Sequence, residues 1–478
     1  MDRLCDATLP RLPVEVTQPA YDRSAVRPGI VHLGVGAFHR AHQAAYTDAV
    51  LAAGDGRWGI TAASLRSPAT RDALAPQDGL YALNIRGETD RLAVIGSIGR
   101  VLAAPEDPAA LLDALCAPAT AIVSLTVTEK AYCRDPASGA LDEAHPDILH
   151  DLAHPHAPRS ALGWLAAAIA RRRAEGLPPF TVLCCDNLPA NGRTLHRLLT
   201  RFARLRSPSL GAFVENEVAC PDTMVDRIVP ATTAEDRARV AAALELQDAW
   251  PVIAEPFSQW VIADRFPAGR PAWEDAGVML VADVAPFEAM KLRLLNASHS
   301  ALAYLGILAG VETVADAMRD PDLAGFAARV MDDAAPTLSV PPGTDVGGYK
   351  RALLARFRNP ALRHRLRQIA ADGSQKLPQR VVDTMRDRLA LGLPVDAHAL
   401  VIAAWGRCGA GGERAEDPAA SVLDRARTAR PPADRLAPAL LGLRPVFDAL
   451  CEDPRFRAAV TTALCRLDTI GAQQAVQP

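Results

Sequence analysis

The run Gly29-Ile30-Val31-His32-Leu33-Gly34-Val35-Gly36-Ala37-Phe38-His39-Arg40-Ala41-His42 constrains this chain more than any other stretch. A short apolar strand enters a glycine turn, and the turn opens into the helix-forming segment QAAYTDAVLAAG. Strand, tight turn and helix commit the next strand to run parallel, and a parallel sheet is covered on both faces. The same order opens dinucleotide-binding βαβ units, where the first glycine permits the turn and the second lets a pyrophosphate approach the backbone. Gly34 and Gly36 fill those places, and the amides of Ala37, Phe38 and His39 at the helix start would face the phosphates. His39 stands where the usual G-x-G-x-x-G has its third glycine. The turn alone therefore also fits a βα unit with no ligand.

Further strand candidates follow at Trp58–Leu65, Leu92–Gly96, Thr120–Thr128, Phe180–Cys185 and Val278–Val284. In NAD enzymes an acidic residue often ends the second strand and holds the ribose hydroxyls. Here Arg66 and Ser67 follow it. An arginine there could accept a 2′-phosphate, so the choice between NAD and NADP stays open. Open α/β sheets bind ligands at the carboxyl ends of their strands. That rule singles out Lys130, just past the Thr120–Thr128 run, and Asn187, just past Cys185. A solvated loop lysine and an Asx-turn are the competing readings. Residues 134–160 are rich in Pro, Asp and His and read as a loop. Its histidines, His145, His150, His154 and His156, match no metal-ligand spacing and read as solvated.

Beyond Pro286 the β-branched runs thin out and helical periodicity prevails. The expected organisation is a dinucleotide-binding α/β domain over 1–285 and an all-helical domain over 286–478. A chain of 478 residues is also too long for one core. The segments Pro341–Asp345 and Asp372–Arg380 read as turns between helices. At the domain junction lies Met290-Lys291-Leu292-Arg293-Leu294-Leu295-Asn296-Ala297-Ser298-His299-Ser300. At about 100° per residue, Asn296 falls about 140° around a helix from Lys291 and His299 about 80°. All three fit one broad arc. Desolvation disfavours the charged form of a buried lysine. An amide can donate to a carbonyl carrying partial negative charge, and an imidazole can hold a hydroxyl. The set suits proton transfer to and from an alcohol, although a solvated helix face would show the same residues.

Composition excludes several alternatives. The net charge of −3 implies no basic face for nucleic acid. No run of about 18 apolar residues suggests a membrane span, and no signal peptide is evident. The nine cysteines are scattered, with no Cys-x-x-Cys pair. This argues against a disulfide framework or structural zinc and for a soluble cytoplasmic protein. Two dehydrogenase designs can be checked directly. None of the six tyrosines has a lysine four positions on, as the short-chain design requires, and the cysteine-rich lobe of the zinc design is missing. A metal-free enzyme with a lysine base remains.

The segments GVGAFHRAHQAAYTDA, SLRS, QDGLYAL, IVSLTVTEKAYC, CDNLPANG, MVDRIVPATT, EPFSQWVIAD, PFEAMKLRLLNASHSALAYLG and DGSQKLPQR resemble the mannitol dehydrogenase family of polyol-specific long-chain dehydrogenases. The resemblance spans about residues 27–380, with weaker likeness beyond. It implies a Rossmann-type N-terminal domain, an all-helical C-terminal domain, NAD as cofactor and no metal. It further implies Lys291 as general acid/base, with Asn187 and Asn296 cradling the reacting oxygen. His299 would position substrate hydroxyls, Glu288 would assist proton traffic, and Asp226 would lie near the cofactor. Within the family, TEKAYC, MKLR and RHRLRQ…DGSQKLPQR are similar to the mannonate (fructuronate reductase) branch, although Ala131 replaces an expected glycine. Lys130, Arg293, Lys376 and Arg380 would then serve an anionic sugar acid, since arginine holds carboxylates bidentately. The alternative is a mannitol 2-dehydrogenase or related polyol enzyme. A monomer or small homo-oligomer acting on a small molecule is expected.

Overall fold

The computed structural model describes residues 1–135, 138–341, 343–408, 419, 421, 423–424 and 431–477. The chain divides into two compact units, Met1–Val284 and Ala285–Pro478.

The first unit holds eleven strands in chain order among its described residues: β1 (Pro28–Leu33), β2 (Gly59–Ser64), β3 (Tyr81–Ile85), β4 (Arg91–Ile95), β5 (Ile98–Ala103), β6 (Ile122–Leu125), β7 (Thr181–Cys184), β8 (Thr223–Asp226), β9 (Val252–Ala254), β10 (Gln259–Ala263) and β11 (Met279–Val281). The main sheet has the order β5-β2-β1-β6-β7, and every pair in it is parallel. Val31 is in register with Thr61 on one side and Val123 on the other. β6 and β7 are buried at every position, as strands covered on both faces must be. The strand order reverses at β1, so the crevice outside the carboxyl ends of β1 and β6 is the topological switch point. Ligands of doubly wound sheets bind there.

Several expectations need correction. Leu92–Gly96 supplies β4 as expected, and β4 pairs antiparallel with β3 in a side sheet that β9 completes. The third strand of the main sheet is β5, which Gly99 and Arg100 disguise by exposing two positions. The last strand is shorter than Val278–Val284 and joins β8 and β10 in another small sheet. Within 134–160, where residues 136–137 lie outside the described residues, a helix runs from Pro146 to Ala153. Pro146 sits at its first turn, and the His145 side chain accepts from Asp147 N–H as its cap. Proline at a helix start is pre-organised for the helix, so a composition that reads as loop is partly a helix start.

The described residues of the second unit form no strand. Its central helix, Ala297–Leu308, is buried from Ala297 through Gly306, the pattern of a helix surrounded by others. It packs against helices Pro321–Ala334, Leu366–Ala370 and Asp396–Cys408. Leu302, Phe326, Val330, Met385, Ile402 and Trp405 join it in one core. Beyond Asp372 this segment is helical, not a turn: Gly373–Leu377 runs into a π-helical segment, Pro378–Val382. The proline at its first position needs no N–H there. Of the expected Pro341–Asp345 turn, Pro342 lies outside the described residues. No helix among the described residues is long and apolar enough to cross a membrane.

His398, in the helix Asp396–Cys408, is wholly buried, and neither ring nitrogen has a hydrogen-bonding partner among the described residues. Burial, reinforced by Arg388 and Arg293, pushes its pKa down to about 3. Below the ordinary value near 6.5 the unfolded chain takes up a proton that the folded chain refuses. Stability is therefore complete above about pH 6.5 and falls as pH drops toward the folded pKa, by up to about 1.4 kcal/mol per pH unit. Melting temperatures at about pH 7.5 and about pH 5 should show a smaller acid-induced drop for His398→Leu than for the parent chain. An equal drop would rule His398 out as an acid-sensitive site.

Candidate active site

At the end of β1 the two glycines do different work. Gly34 has φ +93°, and a Cβ there would lie 2.3 Å from the Thr126 carbonyl oxygen. Only glycine permits that turn. At Gly36 a Cβ would meet nothing nearer than the Gly34 oxygen at 3.9 Å. The fold itself does not require glycine there, so the open backbone suits close approach by a bound phosphate group. Ala37 and Phe38 begin the following helix. The amide of His39 was expected to face a cofactor; its ring is fully buried and stacks on His32 with centroids 3.3 Å apart. That leaves its backbone, not its ring, for any role at the turn. His32 is held in turn by Ser124 at 2.8 Å and Thr126 at 2.9 Å. Burial lowers the pKa of His39 far below the ordinary value.

A residue not singled out from sequence organises the neighbouring strand ends. Asp186 follows β7 directly. Its carboxylate accepts from Val127 N–H at 2.9 Å, Thr128 N–H at 3.0 Å and the Tyr132 hydroxyl at 2.7 Å. Burial raises its pKa, and these three donors oppose the rise. The carboxyl end of β7 is thereby clamped to the segment after β6, which carries the exposed Lys130. Asn191 completes the clamp. Its amide donates to the Cys184 and Asp186 carbonyls and to Thr223 Oγ1, and its Oδ1 accepts from Thr223 N–H. Thr128, Cys133 and Ala190 all have positive φ, so left-handed backbone gathers at this edge, as it does at many functional sites. Asn187 is exposed beside Asp186, and Asp226 is buried at the end of β8. Arg66 is exposed and lies 3.6 Å from Asp147. The first acid after an apolar strand, with an asparagine five positions on, was the readable signal for this clamp.

In the helical unit, helix Ala285–Met290 carries half-buried Glu288 and passes into a π-helical segment, Lys291–Asn296, before Ala297–Leu308. A π turn bonds residues five apart. It places Asn296 one wide turn on from Lys291, much closer to the same face than the 140° of a regular α-helix suggests. Lys291, Asn296 and His299 are all buried. Single π turns in α-helices occur frequently at functional sites. Arg293 was expected to face substrate. Its Nη1 instead donates to the Thr337 carbonyl at 3.0 Å and hydroxyl at 2.8 Å, and its guanidinium pairs with Asp387 at 2.6 Å. It anchors the π turn from outside.

The second π segment, Pro378–Val382, packs on the first and carries Arg380, whose Nη1 lies 3.2 Å from Ser300 Oγ. The His299 ring stacks on Phe357 with centroids 4.2 Å apart. Burial first, then His364, Arg356 and Arg380, push its pKa far below the ordinary value. The charges that bear on this imidazole are positive. Lys376 lies one turn earlier and donates to the Ala371 carbonyl at 2.6 Å. The structure thus brings Lys291, Asn296, His299 and Arg380 into one region of the helical unit. It places Gly34, Gly36, Lys130 and Asn187 at the carboxyl edge of the main sheet.

A lysine and an amide on one wide turn beside a neutral imidazole, and a doubly wound sheet with an open glycine turn, are the parts of a nucleotide-dependent alcohol oxidoreductase. Residues 28–275 match the mannitol dehydrogenase Rossmann domain, and residues 283–468 match the mannitol dehydrogenase C-terminal domain. The chain belongs to the mannitol dehydrogenase family. It is 45% identical over 489 residues to D-mannonate oxidoreductase of Escherichia coli (strain K12), covering 100% of this chain and 99% of that one. It is 43% identical over 397 residues to mannitol 2-dehydrogenase of Cereibacter sphaeroides, covering 82% and 83%. Among solved structures, Pseudomonas fluorescens mannitol 2-dehydrogenase in ternary complex with NAD and D-mannitol matches with a TM-score of 0.91 at 40% identity, over 99% of this chain and 98% of that one.

Asp186→Ala would leave two backbone donors and a tyrosine hydroxyl without their acceptor. The expected cost is about 1–3 kcal/mol, with faster amide hydrogen exchange confined to the segment after β6. Unchanged exchange at Val127 and Thr128 would contradict the clamp.

Proposed function

We propose that this chain catalyses the NAD-dependent interconversion of D-mannonate and D-fructuronate, with Lys291 as general acid/base and no metal. The observation that carries the sugar-acid reading is the cationic surround of His299, where Arg356 and Arg380 bear on a buried imidazole. A guanidinium at this place suits a carboxylate better than a neutral polyol. The 45% identity to a D-mannonate oxidoreductase points the same way.

When bound at the carboxyl edge of the main sheet, NAD supplies the hydride acceptor. The chain's own residues do the rest. Gly34 and Gly36 form the backbone cradle, and Asp226 lies on the cofactor's side. Lys291 takes the proton of the substrate alcohol during oxidation and returns it during reduction. Asn296 donates to the reacting oxygen as negative charge develops on it, and Asn187 serves as a second amide for that oxygen. His299 orients hydroxyls, Glu288 relays protons to Lys291, and Arg380, Lys376 and Lys130 favour the acid. Mannitol 2-dehydrogenase activity is the second reading, supported by the 40% identity to the Pseudomonas fluorescens enzyme.

Lys291→Ala should lower kcat by about two to four orders of magnitude, the usual contribution of general acid–base catalysis, while NADH still binds by fluorescence titration. Near-normal turnover at neutral pH would remove Lys291 from its role. The glycines give an independent check on the cofactor. Gly36→Ala should weaken NADH binding with little change in melting temperature, whereas Gly34→Ala should lower the melting temperature itself. Equal effects of the two on stability would contradict the assignment of Gly36 to the cofactor.

A further inference from the structure

We propose that His364 is a second substrate-binding imidazole, paired with His299, whose Nδ1 hydrogen-bonds a hydroxyl of the bound sugar acid. This rests on the function proposed above, because it takes the region around His299 as the place where substrate lies. It adds a residue that neither the strand ends nor the Lys-Asn-His run indicated.

The two rings stand nearly perpendicular, at 87°, with centroids 5.5 Å apart. His299 Nε2 and His364 Nδ1 are both buried and have no hydrogen-bonding partner among the described residues. Buried polar atoms without partners are few in folded proteins and call for an explanation. Two such nitrogens on adjoining rings, beside a buried lysine turn, are most simply explained by a ligand carrying several hydroxyls. With their planes nearly perpendicular, the two rings can serve different hydroxyls of one sugar chain.

The backbone fixes His364 in place. Its carbonyl accepts from Val314 N–H at 3.0 Å, and two residues on Leu366 N–H donates to the Glu312 carbonyl at 2.9 Å. Arg363 and Arg365, on either side, turn outward to Glu312. The His364 ring alone of the three enters the interior. Burial brings its pKa down to about 4, so near neutrality it is an uncharged donor and acceptor. Arg380 and Arg356 bear on the adjoining His299, which divides the labour: the guanidiniums suit an anionic end, the imidazoles suit hydroxyls.

Three variants separate a binding role from a packing role, read as KM and kcat for D-mannonate with NAD⁺ alongside melting temperature. Asparagine places its amide nitrogen near the position of Nδ1, whereas glutamine places it near Nε2. His364→Phe should raise KM by about tenfold or more, the expected effect of losing one buried hydrogen bond, with kcat and NADH binding little changed. His364→Asn should restore most of the affinity, and His364→Gln should not. An unchanged KM in His364→Phe overturns the proposal, as does equal behaviour of the asparagine and glutamine variants. If the phenylalanine variant melts early, the asparagine and glutamine pair decides alone. Lys291→Ala, run in parallel, keeps the two claims apart. Turnover in that variant would defeat the catalytic reading, whereas its inactivity together with a normal KM in the His364 variants would defeat only this inference.

Discussion

The structure of the helical unit depends on one constraint: a lysine, an asparagine and an imidazole are buried in a largely apolar helix. Burying polar groups is costly unless partners meet them. The fold meets this cost by widening the helix for a single turn at Lys291–Asn296. It then pins the widened turn from outside through Arg293, Thr337 and Asp387. A second widened turn packs on the first and brings Arg380 to Ser300. The helices of the core surround Ala297–Leu308 and keep this arrangement rigid. The irregular backbone is thus stabilised by the most regular part of the unit.

The nucleotide-binding unit solves a similar problem at its sheet edge. Parallel strands end in unsatisfied backbone groups, and a binding edge needs those ends held in one geometry. Asp186 and Asn191 hold the ends of β6 and β7, Thr126 Oγ1 donates to the Gly34 carbonyl at 2.8 Å, and the buried His32–His39 stack lies close beneath the glycine turn. Left-handed residues persist there because the surrounding bonds over-determine them. Relatives named for a sugar acid and for a polyol match this chain at similar identity. A scaffold shared at similar identity leaves selectivity between such substrates to individual side chains.

Much of this was legible in the sequence. The β1 strand, its glycine turn and the following helix were readable because local pattern and tertiary role agree. The Lys-Asn-His run was readable because polar residues in an apolar helix are conspicuous. What stayed hidden was set by tertiary contacts. β5 escaped notice because its exposed Gly99 and Arg100 interrupt the apolar run. β4 was readable as a strand, but its place in a side sheet was not, because strand identity does not specify a partner. The π turn has no composition of its own, so the 140° separation of Lys291 and Asn296 was an artefact of assuming a regular helix. Arg293 looked like a substrate ligand because its pairing with Asp387 spans distant sequence. The motif fixes the place of the His39 amide, but not the direction of its ring, which burial turns onto His32.

The most direct test is the ratio of kcat/KM for D-mannonate to that for D-mannitol at saturating NAD⁺. A guanidinium that engages a carboxylate in a partly buried site is worth a few kcal/mol, so the account predicts a ratio of about one hundred or more. A ratio below one, with D-mannitol the better substrate, would contradict the sugar-acid assignment.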